Sequence, residues 1–302
     1  MGRRVHSQRR PTTGFGLVLL VLLFISRTSA GPANGLLPIP DHLVVLTFDD
    51  GTKSDIAYVA PLLKQYGFGA SFYVTEGLRD IKRDDDNLSW DDIRQLDKLG
   101  FEVGNHTETH PDLMKLTKVQ ILAEIEAIEQ HFKQNGIPAP RTFAYPLYHD
   151  SVPAAEVLLQ KGYLFARRGV TPEFPDSDNG ARGPAYDPAK HYPLFIPTTG
   201  YAGPKWGLQD LAWAVDQAKN GKIAVLNFHG VPYPRAPWVS VEPKVFAEYM
   251  NYLRDQKCTV IAMRDLAKYV EPAALTKIPL RREQGSFASG TTYGVDSSGK
   301  VH

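Results

Sequence analysis

Three short stretches of this sequence concentrate groups able to bind a cation and move a proton. Asp49-Asp50-Gly51 sets two carboxylates beside a glycine that lets the backbone turn sharply. His106 and His110 stand four residues apart and converge on one point if their segment turns as a helix. His229-Gly230 follows an apolar run, residues 222–228. Each stretch alone has a plainer reading. Two aspartates and a glycine suit a solvated turn or a helix cap, and a histidine pair suits a surface turn or a packed core. If Asp50, His106 and His110 meet, they make a set of two imidazoles and one carboxylate that leaves positions open for water and a substrate oxygen, which is a catalytic arrangement rather than a structural one. Asp49 is then a second carboxylate beside a water activated by a metal, and so a candidate base. His229 is a candidate acid.

Such a meeting needs strands that end on one side of the molecule. From residue 42 the chain alternates short apolar runs with amphipathic stretches, which predicts strands over 43–48, 70–75, 101–105, 141–145, 163–166, 222–228 and 259–263. Helices are predicted over 54–66, 90–99, 117–134, 154–161, 208–219 and 243–256, with a last one reaching Val270. In the longest of these, Leu116, Val119, Leu122, Ile125 and Ile128 recur at three- and four-residue spacing, the pattern of a buried stripe. A Pro- and Gly-rich excursion, 171–206, carries a short strand near Leu194–Ile196. About seven β-α units without a helical bundle between them argue for a parallel sheet closing as a distorted (β/α) barrel, in one domain over 38–272. The active site of such a fold lies at the C-terminal ends of the strands, where all three stretches fall.

Composition narrows the setting. Among 302 residues 43% are hydrophobic and 22% charged, a globular mixture. The net charge of +1 rests on Arg3, Arg4, Arg9, Arg10 and Arg27, and without these five the body carries −4. A slightly acidic body without a long basic block has no footprint for nucleic acid. Cys258 is the single cysteine, which excludes an internal disulfide. Arginines, a twelve-residue apolar run over 14–25 and small residues before Ala30-Gly31 form a signal-peptide layout over 1–30. The run is too short to span a bilayer comfortably, so export is expected, to periplasm, envelope or medium, and membrane contact only through this segment if it stays uncleaved. A Gly-, Ser- and Thr-rich tail, 283–302, is expected to be disordered.

Taken in order, Thr47-Phe48-Asp49-Asp50-Gly51, His106 with His110, and Leu226-Asn227-Phe228-His229 resemble the first, second and last motifs of the polysaccharide deacetylase (NodB-homology) family, the family 4 carbohydrate esterases. The resemblance covers about residues 42–270. It implies a NodB-type distorted barrel, hydrolysis of an N-acetyl (sometimes O-acetyl) group, and one divalent metal, often zinc. It assigns Asp49 as base, Asp50, His106 and His110 as ligands, and His229 as acid. Tyr145, Leu147 and Tyr148, after the fourth strand, are the expected substrate and oxyanion contacts, with a backbone N–H of Leu147 or Tyr148 as donor. Two features depart from the pattern. Ala144 stands where the third motif usually has the arginine that braces the base, within a Tyr145-Pro146 version of that motif, and Arg168 on the next strand is the expected replacement, with Arg167 the next candidate. No acidic partner for His229 is evident over 170–206.

The reading is therefore an exported metal-dependent hydrolase of N-acetylated glycans. Tyr192, Tyr201, Trp206, Tyr233 and Trp238 are candidates to stack on sugar rings. The competing readings are hydrolysis of another amide or ester by the same centre, such as O-acetylated xylan or a small cyclic amide, and a non-catalytic glycan-binding relative. No protein partner is inferred.

Overall fold

In the computed structural model every residue of β1 (Leu43–Phe48) is buried, and its alternation sorts the core into two layers. Val44, Leu46 and Phe48 face outward into a cluster with Phe72, Leu211 and Phe246, where the helices pack. Leu43 and Val45 face inward, with Phe165, Ile196, Val225 and Met263. The model describes residues 35–78, 86–177 and 179–281, together with the first two residues; the expected signal peptide and C-terminal tail otherwise lie outside the described residues.

Around β1 are arranged β2 (Ser71–Val74), β3 (Glu102–Asn105), β4 (Thr142–Ala144) and β5 (Phe165–Arg167) on one side. On the other lie β8 (Ala224–Phe228), β7 (Gly200–Tyr201) and β6 (Ala181–Arg182). All these pairings are parallel except that of β6 with β7, and β9 (Thr259–Ile261) adds to β1 beside Leu43–Val45. The excursion after β5 draws the ends of this curved sheet together. Ile196 makes a parallel bridge with Arg167, and Thr199 N–H then donates to Val225 O at 2.7 Å. The segment near Leu194–Ile196 is thus this single bridge rather than the expected strand.

The helices are α1 (Ala60–Tyr66, entered through a π-turn over Asp55–Val59), α2 (Trp90–Lys98), α3 (Lys118–Gln134), α4 (Val152–Gln160), α5 (Leu208–Asp216) and α6 (Pro243–Asp255). Thr117 caps α3, its hydroxyl accepting from Gln120 N–H while the Gln120 side chain accepts from Thr117 N–H. The buried stripe of α3 is Ile121, Ile125, Ile128 and Phe132. Val119, expected on that stripe, lies in the first turn on the outer side and is 78% exposed. After β9 the chain forms a 3₁₀ segment, Met263–Lys268, in place of the expected α-helix.

Candidate active site

Strand register brings the chemical groups level with one another. Phe48 pairs with Phe72 on one side and Phe228 on the other, so Asp49 and His229 leave adjacent strands at the same height. Val74 pairs with Asn105, and Asn105 with Phe143, which puts His106 beside Ala144. Side-chain phase matters as much. Leu43, Val45, Thr47 and Asp49 share the inner face of β1, and Ile223, Val225, Asn227 and His229 share that of β8.

Continued alternation would turn Asp50 away from the cavity. Instead Asp50 takes φ 75°, a left-handed conformation that aspartate tolerates, and its carboxylate swings to the same side as that of Asp49. Asp50 Oδ1 then lies 3.6 Å from His106 Nε2 and 3.7 Å from His110 Nε2. The histidines do not meet on a helix, as their spacing suggested. A tight turn with Thr107 at φ 68° and His110 at φ 54° brings them together. The Thr107 side chain holds that turn, accepting from His110 N–H at 3.1 Å and donating to His106 O.

One ligand atom from each of Asp50, His106 and His110 lies within 4.8 Å of the others. Donors about 2.0–2.1 Å from a tetrahedral zinc stand roughly 3.3–3.5 Å apart, so the set fits such an ion with little adjustment. His106 Nδ1 is engaged with Ala144 O at 2.8 Å, which fixes the ring and turns Nε2 toward Asp50. Burial alone would raise the Asp50 carboxyl, but the hydrogen bond from His106 and the surrounding imidazoles bring it down to about 2. Burial, followed by the charge of His106, lowers His110 to about 4. For His106 burial acts downward too, yet the charges of Asp49 and Asp50 outweigh it and raise the imidazole above its ordinary value.

Asp49 is 2% exposed, and its two oxygens differ. Oδ2 accepts from Arg167 Nη2 at 2.5 Å and from Asn227 Nδ2 at 3.1 Å. Oδ1 has no hydrogen-bond partner among the described residues. Asn227 is itself held by Thr47, whose hydroxyl donates to Asn227 Oδ1 at 3.0 Å, and its Nδ2 also donates to the Tyr148 hydroxyl at 3.0 Å.

Asp49, Asp50, His106, His110, Tyr145, Leu147, Tyr148 and His229 line one cavity of about 680 Å³. Arg168 does not. Its guanidinium points out of the barrel, donating to Phe195 O at 3.2 Å and pairing with Glu173 at 2.5 Å. The expected contact of Arg168 with Asp49 is made by Arg167, which shares the inward phase of Phe165 on β5. Tyr145 borders the cavity, and its hydroxyl donates to Leu194 O at 3.0 Å among core aromatics. The Tyr148 N–H is committed to Tyr145 O, whereas that of Leu147 makes no hydrogen bond among the described residues. Leu147 and Tyr148 are left-handed, at φ 56° and 60°. Tyr148 stacks on Tyr201 with centroids 5.1 Å apart. Gly169 permits this fold-back, because a Cβ there would fall 2.5 Å from Tyr148 Cβ.

His229 Nδ1 is buried without a partner among the described residues. Of the five loop aromatics, Tyr201, Tyr233 and Trp238 line the cavity. Tyr192 and Trp206 are core residues, 5% and 4% exposed. Sequence reading gave Asn227 no role, although its place two residues before His229 in an inward-facing run is a signal for it.

A parallel barrel whose strand ends gather one carboxylate and two imidazoles around a cation-sized gap, with a second buried carboxylate beside them, defines the class. Comparison points the same way: residues 38–166 match the polysaccharide deacetylase family model. The segment ends just before Arg167 and does not reach His229. A bifunctional xylanase/deacetylase from Pseudobutyrivibrio xylanivorans is 27% identical over 111 residues, 37% of this chain and 17% of that protein. A chitin deacetylase from Colletotrichum lindemuthianum is 30% identical over 105 residues, 34% of this chain and 41% of that protein. The match spans less than half the length of either curated relative. The solved structure of the chitin deacetylase from Colletotrichum lindemuthianum superposes with a TM-score of 0.52 at 17% identity, over 78% of this chain and 91% of that one, and shows the same fold.

Proposed function

We propose that this protein is an exported, metal-dependent deacetylase that removes N-acetyl groups from an N-acetylated polysaccharide or oligosaccharide. The observation that carries the reading is the asymmetry of Asp49: one oxygen is bound by Arg167 and Asn227, and the other is free in the cavity that holds Asp50, His106 and His110. A buried carboxylate oxygen left without a donor beside a candidate cation site is placed to accept a proton.

Asp50, His106 and His110 would hold the metal, zinc by the preference of its donors. A divalent ion there supplies an activated water and polarises the acetamide carbonyl. Asp49 Oδ1 accepts the proton of the attacking water, while Arg167 and Asn227 hold that carboxylate in place through Oδ2. The free Leu147 N–H and the Tyr148 hydroxyl stand on the same cavity as donors for the developing oxyanion. Burial and the charge of Asp49 push the Tyr148 phenol well up, so it keeps its proton through the reaction. His229 gives a proton to the departing amine.

The cavity walls suit a glycan. Tyr233 and the half-exposed Trp238 offer aromatic faces on which sugar rings stack. The basic, then apolar, N-terminus supports export to where such polymers occur. No helix among the described residues is long and apolar enough to cross a membrane. The direct test is acetate release from N-acetylated oligosaccharides and acetylxylan, with and without added zinc, by wild type and Asp49→Asn. The expected result is zinc-stimulated release from the N-acetylated sugars, reduced at least about 10²-fold in Asp49→Asn with metal content unchanged. Release from acetylxylan alone moves the protein to the ester reading.

A further inference from the structure

The cavity contains one positive side chain for which the reaction above has no use. Arg235 lies in the loop after His229, between Tyr233 and Trp238, and lines the same cavity as Asp49 and Asp50. The other charged side chains there are engaged. Asp49 is paired with Arg167, Asp50 with two imidazoles, and Asp176 accepts from the Tyr201 hydroxyl at 2.8 Å. Arg235 makes no ion pair and no hydrogen bond with any described residue, and its Nη1 is buried without an acceptor.

Tyr233, two residues earlier, lines the same cavity. Burial and the charge of Asp50 raise the Tyr233 phenol, and Arg235 lowers it. Arg235 thus shares one cavity with Tyr233 and with Asp50, His106 and His110. A guanidinium presents five donors in a rigid fork, and leaving Nη1 buried without an acceptor is costly unless a ligand provides one. The ligand that matches such a fork best is an oxyanion, bound through two parallel N–H···O bonds.

We infer that Arg235 is a specificity residue that selects glycans bearing an oxyanion, a carboxylate or a phosphate, close to the acetamido group. The inference rests on the deacetylase reading and narrows its substrate from neutral N-acetylglucosamine chains to acidic N-acetylated glycans. The oxyanion seats on Arg235 while Trp238, exposed at the rim, covers a face of the sugar that carries it.

Binding and turnover are measured separately so that the two ideas can fail separately. Zinc-loaded wild type, Arg235→Gln and Arg235→Lys are titrated calorimetrically with three N-acetylated tetramers: a neutral one, one with a carboxylate on every second sugar, and one with a phosphate there. Wild type is expected to bind one acidic tetramer about tenfold or more tightly than the neutral one, a preference that weakens in high salt. Arg235→Gln brings that ratio to within about twofold of unity, and Arg235→Lys, which keeps the charge and loses the fork, lies between. The preferred acidic tetramer names the substituent. A wild-type ratio near unity, or one that Arg235→Gln leaves unchanged, overturns the inference. Acetate release is followed on the same tetramers: none from any of them overturns the deacetylase reading, while the binding ratio still decides for Arg235.

Discussion

Nη2 of Arg167 stands 2.5 Å from Oδ2 of Asp49, and both side chains are almost wholly sealed from solvent, at 0% and 2% exposure. The two residues come from β5 and the end of β1, which are not neighbours in the sheet. They meet across the barrel interior, above the apolar layer formed by Leu43, Val45, Phe165 and Val225. The guanidinium also donates to the Thr198 hydroxyl at 3.2 Å and lies against the rings of Tyr73 and Tyr148. The brace that Ala144 cannot supply thus comes from the adjacent strand.

Arg167→Met is expected to leave the Asp49 charge buried and unpaired, at a cost of about 3–5 kcal/mol in stability, and to lower kcat at least about 10²-fold. Arg168→Gln breaks the largely buried pair with Glu173, outside the cavity lining, and should lower the melting temperature with little effect on kcat. Melting curves and acetate-release rates on the two variants check the assignment; equal losses of kcat would refute it.

Asn227 acts through Asp49. Asn227→Leu removes the donor to Asp49 Oδ2 and to the Tyr148 hydroxyl, leaving Asp49 with Arg167 alone. A fall in kcat of about tenfold with KM little changed is expected, because the lost hydrogen bonds orient the base rather than the substrate. A rise in KM at unchanged kcat would instead make Asn227 a substrate-binding group.

Metal binding should be proton-coupled with a stoichiometry set by the environments of the three ligands. At pH 5 His106, raised above its ordinary value, carries a proton, whereas His110, lowered to about 4, is neutral and Asp50, lowered to about 2, is ionised. Binding then displaces one proton, and affinity falls about tenfold per pH unit on acidification through this range. Calorimetry in buffers of different ionisation enthalpy measures the number directly. Release of two protons would contradict the low value at His110. His110→Ala should abolish stoichiometric binding.

Trp238 is 53% exposed and lines the cavity rim, so Trp238→Ala should leave the melting temperature nearly unchanged. On N-acetylated oligomers of increasing length, wild-type kcat/KM should rise over the first few units, and the variant should lose part of that rise, about 1 kcal/mol per lost stacking contact. A flat length dependence in the wild type would argue for a small substrate.

Much of this site is a property of the chain itself. Alternation along a strand places Asp49 in phase with Leu43, Val45 and Thr47, and His229 in phase with Ile223, Val225 and Asn227, whatever the strands pack against. The same local rule, applied to Phe165 and Arg167, turns Arg167 inward and Arg168 outward; the choice of Arg168 set that periodicity aside. Tertiary structure decided the rest. The left-handed backbone at Asp50, which brings adjacent carboxylates to one side, and the turn that joins His106 to His110 without a helix follow from contacts around them. The pairing of Asp49 with Arg167 spans 118 residues and depends on how far the sheet curls before Ile196 bridges to β5. Strand phase is written residue by residue because it arises from backbone geometry alone. Which inward-facing charges meet depends on sheet order and curvature, and these arise only when the whole barrel packs.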